Sequence, residues 1–287
     1  MNLKDLLHIK KEKIIEKKKL AQKIRDSQAI SDVIISTNSQ NFDAVLGKGL
    51  ILGTKYLIFG ANRTGKTQLA HQMCIQLYKA LQDPAIRNQI RKRYNISEGS
   101  ILADKNIYFF DCENTFRPER IEGIAEAQKI SYMNILNMIQ ISKIYNQNAL
   151  LTKLKEIQNL NARKKPLLLI IDSLNKYYRA GIADELLSVY KTQKLMKEIL
   201  REIHFLNIKY NITILATAQV SAVFSDQKIL KDIPSGNRYL NHFFSEYIYL
   251  QIDEHDKRYA QLVNSSQFPE KKLRFQITER GIEDYNI

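Results

Sequence analysis

An eight-residue run, Gly60-Ala-Asn-Arg-Thr-Gly-Lys-Thr67, has the glycine and Lys-Thr spacing of a phosphate-binding loop. The residues before it, Lys55-Tyr-Leu-Ile-Phe59, are apolar and aromatic like a buried strand, and Gln68 begins a stretch with helical apolar spacing. In such a strand, loop and helix, backbone N–H groups and the positive end of the helix dipole face a bound phosphate. The pattern predicts a nucleoside triphosphate site at a strand-to-helix junction.

Two side chains of this loop have specific expected roles. Lys66 should reach the β- and γ-phosphates, and the Thr67 hydroxyl should bind Mg²⁺. The residues predicted to contact the nucleotide in this part of the chain are Gly60, Ala61, Asn62, Arg63, Thr64, Gly65, Lys66, Thr67 and Gln68.

With 287 residues, the chain is long enough for one large α/β domain or for one domain with a short appendage. No apolar run approaches the roughly 20 residues that cross a bilayer, and the basic amino terminus lacks the apolar segment of a secretory signal. We therefore expect an intracellular protein with no membrane segment. The two cysteines, Cys74 and Cys112, indicate neither a disulfide framework nor a zinc site.

The formal net charge of +14 favours a polyanionic partner, with nucleic acid the first candidate and an anionic membrane surface the second. Basic residues cluster in two places, from Lys10 to Arg25 and from Arg87 to Arg93. Residues 1–33 are predicted to form a basic helix and linker, which either lies solvated on the core or serves as a DNA or partner arm. The second cluster belongs to a stretch, Asp83 to Gly99, that either contacts phosphates or is a solvated insertion.

From Asn41 onward, segments rich in β-formers alternate with longer helical patterns. This alternation predicts an α/β fold in which helices on both faces cover a mostly parallel central sheet. After Gln219, shorter strands predict an antiparallel edge. The expected strands are Tyr56–Phe59, Asn106–Cys112, Asn137–Ile141, Leu167–Asp172, Ile212–Thr217, Tyr247–Ile252, Tyr259–Val263 and Leu273–Ile277, and the longest expected helix runs from Asp184 to Leu206.

Acidic side chains follow two of these strands. Asp172 ends the apolar run that starts at Leu167, as a Walker B aspartate does, and the carboxyl ends of parallel strands collect ligands. We expect Asp172 to hold Mg²⁺ through water. Asp111 and Glu113 close another strand and should share a face. Glu113, nearer the edge, is the candidate for polarising the attacking water, with a surface carboxylate as the alternative.

Several blocks, in order along the chain, resemble the archaeal RadA and eukaryotic strand-exchange recombinases of the RecA-like superfamily. The resemblance covers Ile34 to Asp284 and implies a RecA-like P-loop ATPase core over residues 34–287. The blocks include Glu113-Asn-Thr-Phe-Arg-Pro-Glu-Arg120, Gly65-Lys-Thr-Gln-Leu-Ala-His71, Ala218-Gln-Val220 and Ile277-Thr-Glu-Arg-Gly-Ile-Glu-Asp284.

The resemblance implies ATP and Mg²⁺ as cofactors and assigns roles to single residues. Lys66 and Thr67 match the phosphate and metal ligands, and Asp172 matches the Walker B carboxylate. Glu113 matches the glutamate that activates water, so that Glu113 and Lys66 are the expected catalytic residues.

Two further roles rest on the same resemblance. Arg120 matches an arginine that packs on the adenine. Gln219 matches the glutamine that senses the γ-phosphate and communicates its state to the following DNA-binding loop, although a buried amide bonded within the sheet is the alternative.

Other parts of the chain depart from the family pattern. Asp26–Asp32 shows no phenylalanine like that of the Phe-x-x-Ala linker, which follows a small helical domain in the recombinases. The first DNA loop normally contains Gly-Arg-Gly, whereas this chain has the acidic and apolar Ala180–Leu186, a poor phosphate ligand. The second loop, about Ser221 to Asn237, lacks the paired glycines of the family.

These observations predict a RadA-like, ATP-binding and ATP-hydrolysing DNA recombination and repair protein, a paralogue that assists the main recombinase. The alternatives are an autonomous DNA-dependent strand-exchange recombinase, an ATP-holding adaptor that does not hydrolyse, and a KaiC-like signalling ATPase. The expected partners are single-stranded DNA and a recombinase or paralogue, with a homo-oligomer as a further option and no membrane. The resemblance places the protein in the cytoplasm or nucleoid if it is prokaryotic.

Overall fold

The structure, a computed structural model, describes residues 32–96, 106–161, 164–184, 188–222, 232–241, 243–265 and 267–285. The chain divides into two units, Met1–Val33 and Ile34–Ile287. The basic helix expected near the amino terminus lies outside the described residues, and the account below concerns the second unit.

Thirteen strands are present in the described residues of this unit. Their bounds are β1 (Ile34–Ile35), β2 (Leu50–Ile51), β3 (Lys55–Gly60), β4 (Ile107–Asp111), β5 (Ile139–Lys143), β6 (Leu168–Asp172), β7 (Thr213–Ala218), β8 (Val220–Ala222), β9 (Asp232–Pro234), β10 (Glu246–Ile252), β11 (Arg258–Ser265), β12 (Lys271–Thr278) and β13 (Gly281–Asp284).

Nine of these strands form one sheet in the order β13-β12-β11-β10-β3-β7-β6-β4-β5. The six strands from β10 to β5 are mutually parallel, and β11, β12 and β13 continue the sheet as antiparallel neighbours. The mostly parallel sheet with an antiparallel edge is therefore confirmed. One detail differs: β10, expected to belong to the antiparallel edge, pairs in parallel with β3, because the chain crosses over before entering it.

Nine helices surround the sheet in the described residues. Their bounds are α1 (Gln40–Val45), α2 (Lys66–Gln82), α3 (Pro84–Tyr94), α4 (Pro118–Ala127), α5 (Tyr132–Met138), α6 (Gln147–Asn159), α7 (Lys176–Ala183), α8 (Val189–Tyr210) and α9 (Asn237–Leu240). Among them, none combines the length and apolar composition that crossing a bilayer requires.

The sheet is covered on both faces because side chains alternate along each buried strand. Phe59 and Phe110 pack into one cluster with residues of α6 and α8, including Leu150 and Met196. The neighbouring residue Phe109 points to the other face, where the His71 ring of α2 stacks on it with 5.7 Å between ring centroids. Strands buried on both faces explain the continuous apolar runs in the sequence.

The basic stretch after the phosphate-loop helix folds as α3. Asp83 caps this helix by accepting from the backbone N–H of Ala85 at 2.7 Å. At its other end, Arg93 Nη2 donates to the Leu52 carbonyl at 3.1 Å, and the Tyr94 hydroxyl donates to the Asn211 carbonyl at 3.0 Å. Those carbonyls precede β3 and β7, so α3 lies at the amino edge of the sheet, opposite the end where β3 enters the phosphate loop.

Residues from both ends of the described core meet on α2. Gln72 is fully buried, and its Nε2 donates to the Ile282 carbonyl at 2.9 Å and to the Thr37 carbonyl. Its Oε1 accepts from the Ile282 N–H. Asp284 accepts from the Ser39 hydroxyl at 2.7 Å, so that β13 also holds the start of α1. A single buried amide thus fastens β13 and the segment before α1 to the phosphate-loop helix.

Most predicted elements differ from the structure by a residue or two at one end or both, and two elements are displaced along the chain by two residues or more at both ends. The strand expected at Asn137–Ile141 runs over Ile139–Lys143, because the helix α5 before it continues through Met138. The longest helix begins at Val189, where Ser188 accepts a cap bond from the Lys191 N–H, and it continues to Tyr210. The first DNA-loop segment includes the end of α7, and its residues 185–187 lie outside the described part of the chain.

Candidate nucleotide-binding site

The phosphate loop lies between the end of β3 and the start of α2. Gly65 caps α2 with φ 112°, a left-handed conformation that glycine adopts without steric cost, and a Cβ there would lie 3.0 Å from Ile277 Cδ1. Because Gly65 makes no side-chain cap, the free N–H groups of the first helical turn remain available to an anion. The loop therefore has the local structure that its sequence predicts.

The Lys66 side chain bonds to backbone carbonyls of its own loop. Its Nζ donates to the Gly60 carbonyl at 2.8 Å and to the Ala61 carbonyl at 2.7 Å. Burial lowers the pKa of Lys66, while the charges of Asp172 and Glu113 act to raise it. A partly desolvated cation in this position is well matched to an anionic ligand.

A cavity of about 660 Å³ opens beside the loop, which is large enough for a nucleotide. It brings together most of the predicted residues with several that the sequence did not indicate. Its lining consists of Asn62, Arg63, Gly65, Lys66, Thr67, Gln68, Glu113, Thr115, Arg120, Asp172, Gln219, Arg258, Ile277, Thr278 and Glu279. Gly60, Ala61 and Thr64 are absent from this lining and form the body of the loop, where the Thr64 hydroxyl donates to the Ala61 carbonyl at 2.9 Å.

Asp172, at the end of β6, is buried and accepts from three hydroxyl groups. The Thr67 hydroxyl donates to Oδ2 at 2.7 Å, the Thr115 hydroxyl donates to the same atom at 3.1 Å, and Thr217 donates to Oδ1. Burial raises the pKa of Asp172, and these hydroxyl bonds act to lower it. A hydroxyl and a carboxylate side by side are the hard oxygen ligands that suit Mg²⁺, so the residues present fit a metal bound here through water.

Glu113 also lines the cavity and is held by two donors. Gln219 Nε2 donates to Glu113 Oε1 at 2.6 Å, and the Ser173 hydroxyl donates to the same oxygen. Gln219 follows β7, Ser173 follows β6, and Glu113 follows β4, so three neighbouring strands deliver the three side chains to one point. This arrangement directly connects the predicted water-activating residue to the predicted phosphate sensor.

Asp111 has a different role from the one its spacing suggested. The strand ends at Asp111, and its carboxylate accepts from the backbone N–H groups of Glu113 at 3.2 Å, Thr115 at 3.0 Å and Phe116 at 3.1 Å. The expectation that Asp111 and Glu113 share a strand face is therefore wrong, because the chain turns at this point. Asp111 supports the turn that carries Glu113 into the cavity.

Arg120 lines the cavity and makes three hydrogen bonds with its guanidinium group. Its Nε donates to Gln68 Oε1 at 2.6 Å, and its two terminal nitrogens donate to the carbonyls of Thr278 at 2.6 Å and Glu279 at 3.1 Å. These bonds fix the orientation of the guanidinium plane, and a guanidinium held in this way can offer a flat face to a ligand. Such a face can stack on a nucleobase.

Asn175 connects the cavity to the hairpin formed by β8 and β9. This fully buried amide accepts from the Gln219 N–H at 2.9 Å and donates to the carbonyls of Gln219 at 2.8 Å and Ser235 at 3.0 Å. Because Asn175 follows Asp172 and Ser173 in the chain, the end of β6 contacts the metal-ligand candidate, the Glu113 carboxylate and the hairpin. The second-loop residues 223–231 lie outside the described part of the chain.

His71 ties the Glu113 turn to the phosphate-loop helix. Its Nε2 accepts from the Arg117 backbone N–H at 3.1 Å, and its ring packs on Phe109 and Phe116. Burial lowers the pKa of His71 from the usual 6.5 to about 4. The imidazole is therefore neutral above this pH, as an acceptor at Nε2 requires.

We expect this histidine to make stability depend on pH. Between pH 6.5 and 4 the unfolded chain protonates His71 and the folded chain does not, so the free energy of unfolding should fall by on the order of 3 kcal/mol as the pH is lowered through this window. Urea unfolding at stepped pH measures the fall. His71→Gln keeps an acceptor but does not titrate, so its profile should be flatter. Equal slopes in both proteins would contradict the assignment.

Sequence reasoning missed several residues of the site for identifiable reasons. Thr115 and Thr278 lie inside blocks that carried the family resemblance, so they were visible but had no assigned chemistry. The roles of Thr217 and Ser173 depend on which strand ends lie side by side. Only the order of strands in the sheet specifies this. Arg258 on β11 carries no motif at all.

Comparison with known proteins identifies the family of the chain. A family model described as Rad51 matches residues 28–285. The DNA repair and recombination protein RadA of Methanococcus voltae is 30% identical over 251 residues, covering 87% of this chain and 76% of that protein. RadA of Methanococcus maripaludis is 29% identical over 256 residues, covering 87% and 76%. Since the matched region contains both the phosphate loop and β13, the chain belongs to the Rad51 family.

Proposed function

We propose that this protein binds Mg·ATP in the cavity and hydrolyses it as a recombination and repair ATPase that acts on DNA. The observation that carries the proposal is the 2.6 Å hydrogen bond from Gln219 to Glu113 within a cavity that also contains Lys66 and Asp172. A carboxylate that lines the same cavity as a phosphate loop can serve as the base that activates water. Bound Mg·ATP would supply the phosphoryl group and the charge that polarises it.

Each residue has a defined part in this proposal. Lys66 and the N–H groups at the start of α2 hold the phosphates, and Thr67 with Asp172 holds Mg²⁺. Glu113 accepts the proton of the attacking water. The face of Arg120 supports the adenine. The Gln219 side chain donates to Glu113, and its backbone carbonyl accepts from the Ser235 N–H at the base of the β8–β9 hairpin. Through Gln219, a displacement of Glu113 can therefore move the hairpin.

The cellular role that we propose is assistance to a main recombinase. The support lies in surfaces that differ from the family pattern, namely the acidic and apolar segment from Ala180 and the absence of a phenylalanine in Asp26–Asp32. Both changes weaken contacts to phosphates or to a neighbouring protomer. The RadA proteins above are named for DNA repair and recombination, which supports the proposal that this protein acts on DNA.

ATP turnover with and without single-stranded DNA tests the proposal. We expect Mg²⁺-dependent hydrolysis that rises when DNA is added, because the hairpin and Glu113 share Gln219. Tight nucleotide binding with no turnover under either condition would contradict hydrolysis and favour an ATP-holding adaptor. Electron microscopy of the protein with ATP and DNA checks the accessory role, since regular filaments of this protein alone would favour an autonomous recombinase.

A further inference from the structure

The outward face of α8 carries a continuous exposed row of side chains. The buried residues of this helix, including Met196, Ile199 and Ile203, face the sheet. On the other side, positions three or four residues apart are exposed and therefore lie along one face of the helix. We call this set the α8 row, and its members are Tyr190, Lys194, Lys197, Arg201, Phe205 and Ile208.

The middle of the α8 row is positively charged and contains no carboxylate. Lys194, Lys197 and Arg201 are consecutive members of the row, and none of them forms an ion pair with another described residue. The two acidic residues of α8, Glu198 and Glu202, lie outside the row, and Glu202 accepts from the Gln158 amide. Glu198 is four residues after Lys194 and three before Arg201, so it offsets part of this charge. Cations still outnumber carboxylates on the exposed side of α8, and the net positive potential attracts a polyanion.

A second element extends this charge. Arg238 and Tyr239 of α9 lie beside the row, with Lys197 Nζ 5.6 Å and Arg238 Cζ 4.6 Å from the centroid of the Tyr239 ring. Arg238 also donates to Gln193 Oε1 of α8 at 3.2 Å. The surface therefore combines four cations with an aromatic ring held between two of them.

The dimensions of the row fit a nucleic acid strand. At about 1.5 Å per residue, Lys194 and Arg201 are about 10 Å apart along the helix, which corresponds to two or three phosphates of one strand. Tyr190, with 75% of its surface exposed, stands at the amino end of the row, where it can stack on a base. Cations that follow a backbone next to exposed aromatic rings are typical of surfaces that bind single strands without sequence preference.

We propose that the α8 row, together with Arg238, binds the backbone of single-stranded DNA. None of its residues lines the nucleotide cavity, so this surface is separate from the ATP site. The inference rests on the proposed function only in taking DNA as the partner. In this proposal the α8 row, rather than the acidic segment from Ala180, supplies the contacts to phosphates.

The test compares two triple variants with the same change in charge. Lys194→Gln/Lys197→Gln/Arg201→Gln removes the charge of the row, and Lys129→Gln/Lys155→Gln/Lys271→Gln removes three exposed cations from the turn after α4, from α6 and from β12. Affinity for a fluorescent 30-nucleotide thymidine oligomer is measured by anisotropy at several salt concentrations. Thermal unfolding and ATP affinity, expected to be unchanged in both, confirm folding.

We expect the row variant to bind about tenfold more weakly or worse, and its slope of log affinity against log salt to be shallower by about 2, from 0.7 for each of three phosphate contacts. The control should keep the parent slope. Tyr190→Ala should weaken binding with an unchanged slope, because stacking involves no counterion release.

Three outcomes would overturn the inference. If the row variant and the control behave alike while the parent protein binds DNA, the surface lies elsewhere and the proposed function stands. If the parent hydrolyses ATP but binds no DNA, both the surface and the DNA part of the proposed function fail. If the row variant loses duplex binding with the same change in slope, the preference for a single strand is wrong.

Discussion

Replacing Lys66 with alanine should weaken Mg·ATP binding by about 100-fold or more. The partly buried Lys66 cation lies beside Asp172 and Glu113 and is the group placed to balance the phosphate charge. Its removal would leave that charge uncompensated in a partly desolvated cavity, which costs several kcal/mol. The loop would also lose the bonds from Nζ to the Gly60 and Ala61 carbonyls. Isothermal titration calorimetry with ATP measures the effect.

Lys79→Ala is the matched control, because Lys79 lies on the same helix but contacts Asn38 and Gln128 outside the cavity. This variant should bind ATP like the parent. An unchanged affinity in Lys66→Ala would remove the basis for assigning the phosphate loop.

Replacing Glu113 with glutamine should keep nucleotide binding and lower turnover by about 10²- to 10⁴-fold. Glutamine has the same size and retains an oxygen that accepts from Gln219 and Ser173, so the geometry of the cavity is preserved. Glutamine lacks the basic carboxylate that accepts a proton from water. Single-turnover hydrolysis measures the chemical step, and calorimetric titration with ATP measures binding. Together they separate the two effects.

Glu119→Gln is the corresponding control, since Glu119 is an exposed carboxylate in the first turn of α4, just beyond the same segment. We expect it to hydrolyse ATP at the parent rate. If Glu113→Gln does so as well, water is activated by another group. Asp111 is then a poor substitute, because backbone N–H groups already occupy both of its oxygens.

The sequence was sufficient to predict the architecture because its signals are local. Alternating strand and helix patterns specify a parallel sheet, and the strand ending at Asp172 is recognisable from its unbroken apolar run. The convergence of Lys66, Asp172 and Glu113 on one cavity follows, since the carboxyl ends of parallel strands lie at one edge. The direction of β10 could not be predicted in this way, because strand pairing depends on where a crossover returns.

The finer structure of the site depends on contacts that no local pattern encodes. A two-residue spacing placed Asp111 and Glu113 on one face only if the strand continued, and it ends at Asp111. Similarly, the hydroxyls of Thr115 and Thr217 reach Asp172 from residues 57 and 45 positions away. Such partners are known only after the sheet order is known.

The buried Gln72 amide has a consequence for how this protein is made. Its partner Ile282 is 210 residues further along the chain, so a nascent polypeptide that has passed the phosphate loop still lacks the bond that fastens the helix behind it. Thr278 and Glu279, whose carbonyls accept from Arg120 beside the cavity, are likewise translated long after the phosphate loop. The nucleotide pocket is therefore completed only once translation has passed β13, and a chain released before β13 would carry the loop without a finished pocket.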